Sequence, residues 1–202
     1  MSRPFPRGFY GIISDPVIGW VPMARLMVAQ GVQVIQLRAK GMEQGALLGL
    51  ARQVRAVIPP DRLFIVNDHP AVALQAGADG VHLGQGDGSY AAARRLLGAA
   101  SIIGLSTHTA AQVEAACALG PSYIGVGPVF ATRTKADAEA VIGLDGLAAL
   151  CALATVPTVA IGGITLDRLG AVAAAGPTAW CAVGVVNDSA APESLLAALL
   201  AP

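Results

Sequence analysis

The chain has 202 residues, with 13 basic and 13 acidic side chains, so its formal net charge is zero; charged residues make up 13% of it and hydrophobic residues 54%, while aromatics reach only 4%. A neutral chain has no electrostatic footprint for nucleic acid or an anionic membrane, and one this apolar does not stay disordered. Its length predicts one domain, residues 1–202, with a sizeable core.

From the N-terminus, Arg3 and Arg7 precede no apolar run before Asp15, so no signal peptide is expected and the chain reads as cytoplasmic. Strand Tyr10–Ser14 leads to helix Val21–Ala29, strand Gln33–Leu37 to helix Met42–Val57, and strand Leu63–Asn67 to helix Pro70–Ala76. Strand Gly80–Leu83 is followed by helix Tyr90–Leu97, and strand Ile102–Leu105 by helix Ala110–Leu119. Strand Tyr123–Val126 precedes the longest loop and then helix Leu144–Leu153. Strand Thr158–Ile161 with helix Leu166–Ala174, and strand Ala179–Val183 with helix Pro192–Leu200, complete the series. Several strands are apolar on both faces, as parallel strands covered on each side are. Thr109-x-x-Gln112 has capping-box spacing, Pro70 behind Asp68 marks a helix start, and Gly31, Gly77, Gly98, Gly120 and Gly176 follow helical runs.

Strand and helix thus alternate through eight units of about 25 residues with no linker between them. That pattern predicts an α/β fold, a (β/α)8 TIM barrel around a parallel eight-stranded core. A doubly wound sheet is the alternative, but no glycine-rich turn directly follows the first strand. A mean hydropathy of +0.62 makes a membrane span worth testing. The uncharged stretch Gly146–Leu166 contains Pro157 and Gly162-Gly163, and Leu169–Asn187 is cut at Gly176-Pro177, so neither reads as one spanning helix. Cys117, Cys151 and Cys181 are odd in number and set among apolar residues, which predicts reduced, buried cysteines.

In such a barrel the active site is built at the C-terminal ends of the strands, so polar residues just beyond each strand are the candidates. After strand two, alternation puts Gln36, Arg38 and Lys40 on one side, a set suited to a polyanion such as pyrophosphate or, equally, to a solvated loop. After strand three, Asp68 follows Asn67 and precedes His69-Pro70, which also fits a simple N-cap. After strand four, Asp87 lies between glycines in ordinary turn context. On adjacent strands, however, two carboxylates facing a phosphate clamp are how Mg²⁺ is usually held. His69, His82 and His108 lack metal-ligand spacing, so zinc is not expected.

The loop after strand five carries Ser106 and His108, with roles as helix cap, substrate contact or proton carrier open to them. The loop from Gly127 to Gly143 holds Thr132, Thr134 and Lys135, and its length suggests a lid or binding loop. Gly162-Gly163 runs straight into a helix, a place where backbone N–H groups approach phosphate. Strand eight ends in Gly184-Val185-Val186-Asn187, a candidate to complete that phosphate site. No Ser-His-Asp, Cys-His or paired acid/base arrangement stands out. The residues therefore point to anion binding at two places, with a metal at one.

These motifs, in this order, resemble the thiamine phosphate synthase family from Tyr10 to Asn187. The specific parts are Gln36-Leu37-Arg38-x-Lys40, Asn67-Asp68, Gly80-Val81-His82-Leu83-Gly84-Gln85-x-Asp87 and Ser106-x-His108-Thr109. Further on stand Gly125-Val126-Gly127-Pro128-Val129-Phe130-x-Thr132-x-Thr134-Lys135 and Ala160-Ile161-Gly162-Gly163-Ile164. The resemblance implies a transferase that displaces pyrophosphate from hydroxymethylpyrimidine diphosphate with the ring nitrogen of hydroxyethylthiazole phosphate. It implies that Arg38, Lys40, Asn67 and Lys135 hold the pyrophosphate, and that Asp68 and Asp87 bind Mg²⁺. It further implies that Gln36 and Ser106 position the pyrimidine, that Thr132 and Thr134 contact the thiazole phosphate, and that Gly163 with the Val186-Asn187 backbone completes that site. Arg38, Lys40, Ser106 and Lys135 are the expected catalytic groups.

Asn187 departs from the family's common Ser, and His69 from its usual charged residue. A thiazole tautomerase of the same family, with His108 as proton carrier, is one rival reading, and a non-catalytic precursor-binding paralogue is another. The intact set Arg38, Lys40, Asp68, Asp87 and Lys135 speaks against both. The low charge is compatible with a homodimer.

Overall fold

The computed structural model describes residues 5–132 and 140–201. Its strands are β1 (Gly8–Ile13), β2 (Val34–Leu37), β3 (Leu63–Asn67), β4 (Gly80–Leu83), β5 (Ile102–Thr107), β6 (Tyr123–Val126), β7 (Thr158–Ala160) and β8 (Ala179–Trp180). All pair in parallel with their neighbours in sequence order, and β8 returns to β1 through Gly8↔Ala179 and Phe9↔Trp180, closing the barrel. The (β/α)8 fold expected from the strand–helix alternation is the one observed.

The strands' two apolar faces explain why a closed barrel forms. One set of alternating residues, including Tyr10, Ile12, Val34, Ile65, Tyr123 and Val159, fills the barrel interior. The other set, including Ile13, Ile35, Phe64, Val81 and Ile124, packs outward under the helices. Both faces are thus removed from water, which an open two-layer arrangement would not achieve. Gly104 on β5 makes room for the largest interior side chain: a Cβ there would collide with the Tyr123 ring.

The outer ring comprises α1 (Trp20–Ala29), α2 (Gln44–Arg55), α3 (Pro70–Gln75), α4 (Tyr90–Leu97), α5 (Ala110–Leu119), α6 (Gly143–Leu153), α7 (Leu169–Ala174), α8 (Val183–Asn187) and α9 (Glu193–Leu200), with a 3-10 turn at Leu166–Arg168. The Thr109 hydroxyl accepts from Gln112 N–H as capping-box spacing requires, although Gln112 Oε1 reaches back to the His108 N–H instead of Thr109's own. Gly120 ends α5 in the left-handed conformation, φ 66°.

Two expectations change. Strand eight stops at Trp180 rather than Val183, and Val183–Asn187, read from sequence as the strand's end, is the short helix α8. Asp68 does not cap α3. The N-cap is His69, with no side-chain cap bond, and Asp68 itself sits at φ 64°. Among the described residues, no helix is long and apolar enough to cross a membrane. The cysteines are free; Cys181 is buried, whereas Cys117 and Cys151 are only partly so.

Candidate active site

The C-terminal ends of the strands open into a cavity of about 490 Å³, within the range typical for small-molecule sites. Gln36, Arg38 and Lys40 reach it from β2 and the loop beyond, Asn67 and Asp68 from the end of β3, Asp87 from the loop after β4, and Ser106 from β5. Thr132 and Gly163 also line it. Thr134 and Lys135 lie outside the described residues, as does part of the loop in which a lid was expected. Val186 and Asn187 do not line the cavity; their helix presents Val183, Gly184 and Val185 instead.

Asn187 has a different occupation. It is 1% exposed, its Oδ1 accepts from Ser14 N–H at 3.0 Å, and its Nδ2 donates to the Ile12 and Val183 carbonyls at 2.8 Å. The side chain therefore ties α8 to the end of β1, where a shorter Ser could not span these partners.

On one side of the mouth stand the cations and the carboxylate pair. Lys40 Nζ lies 3.5 Å from Asp68 Oδ2, with Lys40 half exposed and Asp68 largely covered. Arg38 Nη1 donates to Ser14 Oγ at 3.2 Å. Asp87 accepts from Gly84 N–H at 2.9 Å through Oδ2 and also hydrogen-bonds Asp68. Burial first, and then the bond to and negative charge of Asp87, raise the Asp68 pKa to about 6, against the opposing pull of Lys40. The turn role and the cavity role of Asp87 are thus both real.

Opposite, the β7 loop presents Gly162–Thr165, and the start of α8 presents Gly184 and Val185. Gly162 and Gly163 both have positive φ, and a Cβ on either would strike the Pro128–Ala131 segment. Two glycines are therefore required by packing as well as by the turn, and what they show the cavity is backbone. Arg168 joins this side; its Nη1 donates to the Gly163 carbonyl at 3.0 Å and its guanidinium lies 4.5 Å from the Phe130 ring centroid. His108 Nδ1 donates to the Gly127 carbonyl.

The cavity floor holds a chain of polar side chains, of which the sequence reading named Gln36 and Ser106 as site residues and missed Tyr10, Tyr123 and His82. Gln36 Nε2 donates to Tyr10 Oη at 2.8 Å, Tyr10 Oη meets Tyr123 Oη at 2.8 Å, and Tyr123 Oη meets His82 Nδ1 at 2.9 Å. His82 Nε2 then reaches Ser106 Oγ at 2.9 Å. Burial pushes both tyrosine hydroxyls well above their usual pKa, so they remain protonated. A signal existed: Tyr10, Gln36, His82 and Tyr123 are polar positions inside otherwise apolar strands, and only three tyrosines occur in the chain.

Among the described residues, no group of three or more His, Cys, Asp or Glu side chains could hold a metal. A cation at Asp68 and Asp87 would complete its shell with water and ligand oxygens, as Mg²⁺ does. The pair fits such an ion: two carboxylates close enough to hydrogen-bond, one with its pKa raised by burial and then by the other, are relieved by a divalent charge.

A family model described as thiamine monophosphate synthase matches residues 14–186. A thiamine-phosphate synthase from Anaeromyxobacter dehalogenans (strain 2CP-C) is 40% identical over 196 residues, 96% of this chain and 86% of that protein. One from Laribacter hongkongensis (strain HLHK9) is 41% identical over 94% of this chain and 92% of its own length. Among solved structures, the thiamine phosphate pyrophosphorylase from Pyrococcus furiosus superposes with a TM-score of 0.84 at 29% identity, covering 95% of this chain and 93% of that one. A 3-hexulose-6-phosphate synthase at 20% identity, TM-score 0.69, shares the fold.

Proposed function

The chain belongs to the thiamine monophosphate synthase family, and from that footing we propose that it joins hydroxymethylpyrimidine diphosphate to hydroxyethylthiazole phosphate, giving thiamine phosphate and pyrophosphate. It is a transferase of thiamine biosynthesis. The observation that carries the substrate assignment is the division of one cavity: Arg38, Lys40, Asp68 and Asp87 on one side, glycine backbone on the other. A diphosphate suits the first and a single phosphate the second.

The thiazole nitrogen brings its own lone pair, so no general base is required. The C–O bond to pyrophosphate breaks as its electrons pass to the leaving oxygen, and the C–N bond forms with the thiazole nitrogen. The pyrimidine's amino group stabilises positive charge at the methylene carbon, which favours a dissociative path. Arg38 and Lys40 face the charge that develops on the leaving group, and Asn67 adds a neutral donor beside them. Asp68 and Asp87 would hold Mg²⁺, which when bound neutralises pyrophosphate charge. Ser106 and Gln36 orient the pyrimidine. Thr132, with Thr134 and Lys135 in their expected roles, would hold the thiazole phosphate and the pyrophosphate. Small phosphorylated substrates suit a cytoplasmic enzyme.

The test is pyrophosphate release by the purified protein. Release is expected only with both substrates and Mg²⁺ present. Lys40→Ala and Asp68→Ala should each lower kcat/KM by roughly 10²–10³. Isomerisation of thiazole phosphate with neither pyrimidine nor Mg²⁺ would instead identify a tautomerase, and ligand binding without turnover a binding protein.

A further inference from the structure

We infer that Tyr123 and His82 are positioning residues whose hydrogen-bond chain fixes Ser106 as a donor and Gln36 Oε1 as an acceptor, making the site selective for an aminopyrimidine over its oxo counterpart. The inference rests on the functional reading above for the identity of the ligand, but the polarity of the chain follows from the Gln36 amide donating at one end, with the protons counted from there.

Five side chains from five strands form the series Gln36, Tyr10, Tyr123, His82, Ser106, with every link 2.8–2.9 Å. Gln36 donates through Nε2, so Tyr10 Oη is an acceptor there and its own proton must go elsewhere. Tyr10 is 1% exposed, and Tyr123 Oη is its remaining partner. A buried hydroxyl left without an acceptor is costly, so Tyr10 donates to Tyr123. Tyr123, also 1% exposed, then spends its proton on His82 Nδ1.

Accepting at Nδ1 leaves His82 in its neutral Nε2–H tautomer, since the bond at one ring nitrogen sets the other. Nε2–H donates to Ser106 Oγ. The Ser106 proton is then directed to the cavity, which Ser106 lines, and so is the Oε1 of Gln36, whose Nε2 is committed at the other end.

Reversing the series would turn both ends over: Ser106 would accept and Gln36 would donate. The observed direction matches a ligand that offers an N–H to Gln36 and a lone pair to Ser106. An aminopyrimidine has both, in its exocyclic amine and ring nitrogens. The 4-oxo analogue has a carbonyl where the amine stood and an N–H at the adjacent ring nitrogen, so it opposes the series at Gln36. The contact at the amine also strengthens as that group becomes electron-poor during C–O cleavage.

The two tyrosines are predicted to differ, although both are buried and belong to one aromatic cluster. Tyr123→Phe removes the donor to Nδ1, so His82 is free to take the Nδ1–H form and Ser106 to reverse. Tyr10→Phe leaves Tyr123 with His82 as its acceptor, so the tautomer is kept. Nitrogen-15 NMR of histidine-labelled protein should show His82 as Nε2–H in the wild type and in Tyr10→Phe, and a mixture or Nδ1–H in Tyr123→Phe. In parallel, Tyr123→Phe should reduce the kcat/KM preference for the amino over the 4-oxo pyrimidine diphosphate by roughly tenfold or more. The KM for thiazole phosphate should stay as it was.

An Nδ1–H or doubly protonated His82 in the wild-type protein would overturn the inference, and that spectrum needs no substrate. Equal tautomer shifts in both Phe variants would also overturn it, reducing the series to packing. Absence of turnover with an Nε2–H signal intact would instead count against the substrate assignment while leaving the polarity standing.

Discussion

Asp68 concentrates the tension of the site in one residue. Sequence alone could not separate its two meanings, because Asp shortly before Pro is equally the mark of a helix start and of a loop ligand. The left-handed backbone at φ 64°, the missing cap bond and the neighbouring Asp87 decide between them. A non-glycine residue held at positive φ is a small cost that the surrounding structure sustains. The raised pKa of about 6 adds a second cost. Between the unfolded value of 3.8 and about 6, the folded protein holds a proton that the unfolded chain has released. This carboxyl therefore favours folding in acid, and the advantage disappears as pH rises through about 6. Asp68→Asn should accordingly melt higher than the wild type near pH 7.5, with the gap closing by about pH 4.5, in a thermal-melt series across pH. Added Mg²⁺ should raise the wild-type midpoint near neutral pH and leave that of Asp68→Asn alone. A variant less stable than the wild type at neutral pH would contradict this account. The polar floor of the barrel was only partly legible, for another reason. Hydrophobic patterning assigns Tyr10, His82 and Tyr123 to strands correctly, but says nothing about which interior positions touch across the barrel.

At the scale of elements, the alternation of apolar runs and helical runs carried nearly everything. Three strands, β3, β4 and β6, have the expected bounds, and α4 and α5 do as well. The clear failure is α8. Val183-Gly184-Val185-Val186 is rich in β-branched residues, whose local preference is for strand. Pairing to β7 and β1 lasts for only two residues of β8, however, and the next segment is held by contacts distant in sequence. Asn187 makes those contacts, bonding Ser14 and Ile12 some 170 residues away, as well as Val183 within its own helix. Such pairing cannot be read from a local window. Asn187→Ala should therefore destabilise the fold by about 2–3 kcal/mol, because it leaves buried backbone groups without partners. Denaturant unfolding would measure it. Asn187→Ser should recover little of that loss, and both variants should raise the KM for thiazole phosphate, since α8 carries Gly184 and Val185 into the cavity. A loss below about 0.5 kcal/mol would mean that these bonds are replaced by water.

Over the whole molecule, the zero net charge conceals two proposed anion sites made of different materials. Lysine occurs only at positions 40 and 135, in a chain that otherwise uses arginine for its cations. Lys40 is half exposed beside Asp68, and Arg38 lines the same side of the mouth. Across the cavity, glycine turns and the start of α8 present backbone. Mobile ions screen exposed side-chain charges over distances of about 10 Å at 0.1 M salt. They act less on fixed peptide dipoles packed into a turn, where most of the recognition is short-range hydrogen bonding. With no net charge to steer either substrate from a distance, the difference should come from the sites themselves. Raising KCl from about 0.05 to about 0.5 M at constant Mg²⁺ should increase the KM for the pyrimidine diphosphate several-fold, and that for thiazole phosphate distinctly less. Steady-state kinetics with each substrate varied in turn would measure both slopes, and Lys40→Gln should flatten the steeper one. Parallel slopes would place side-chain cations at both ends of the cavity, with Arg168, bonded to the Gly163 carbonyl and stacked on Phe130, as the group positioned to supply the second.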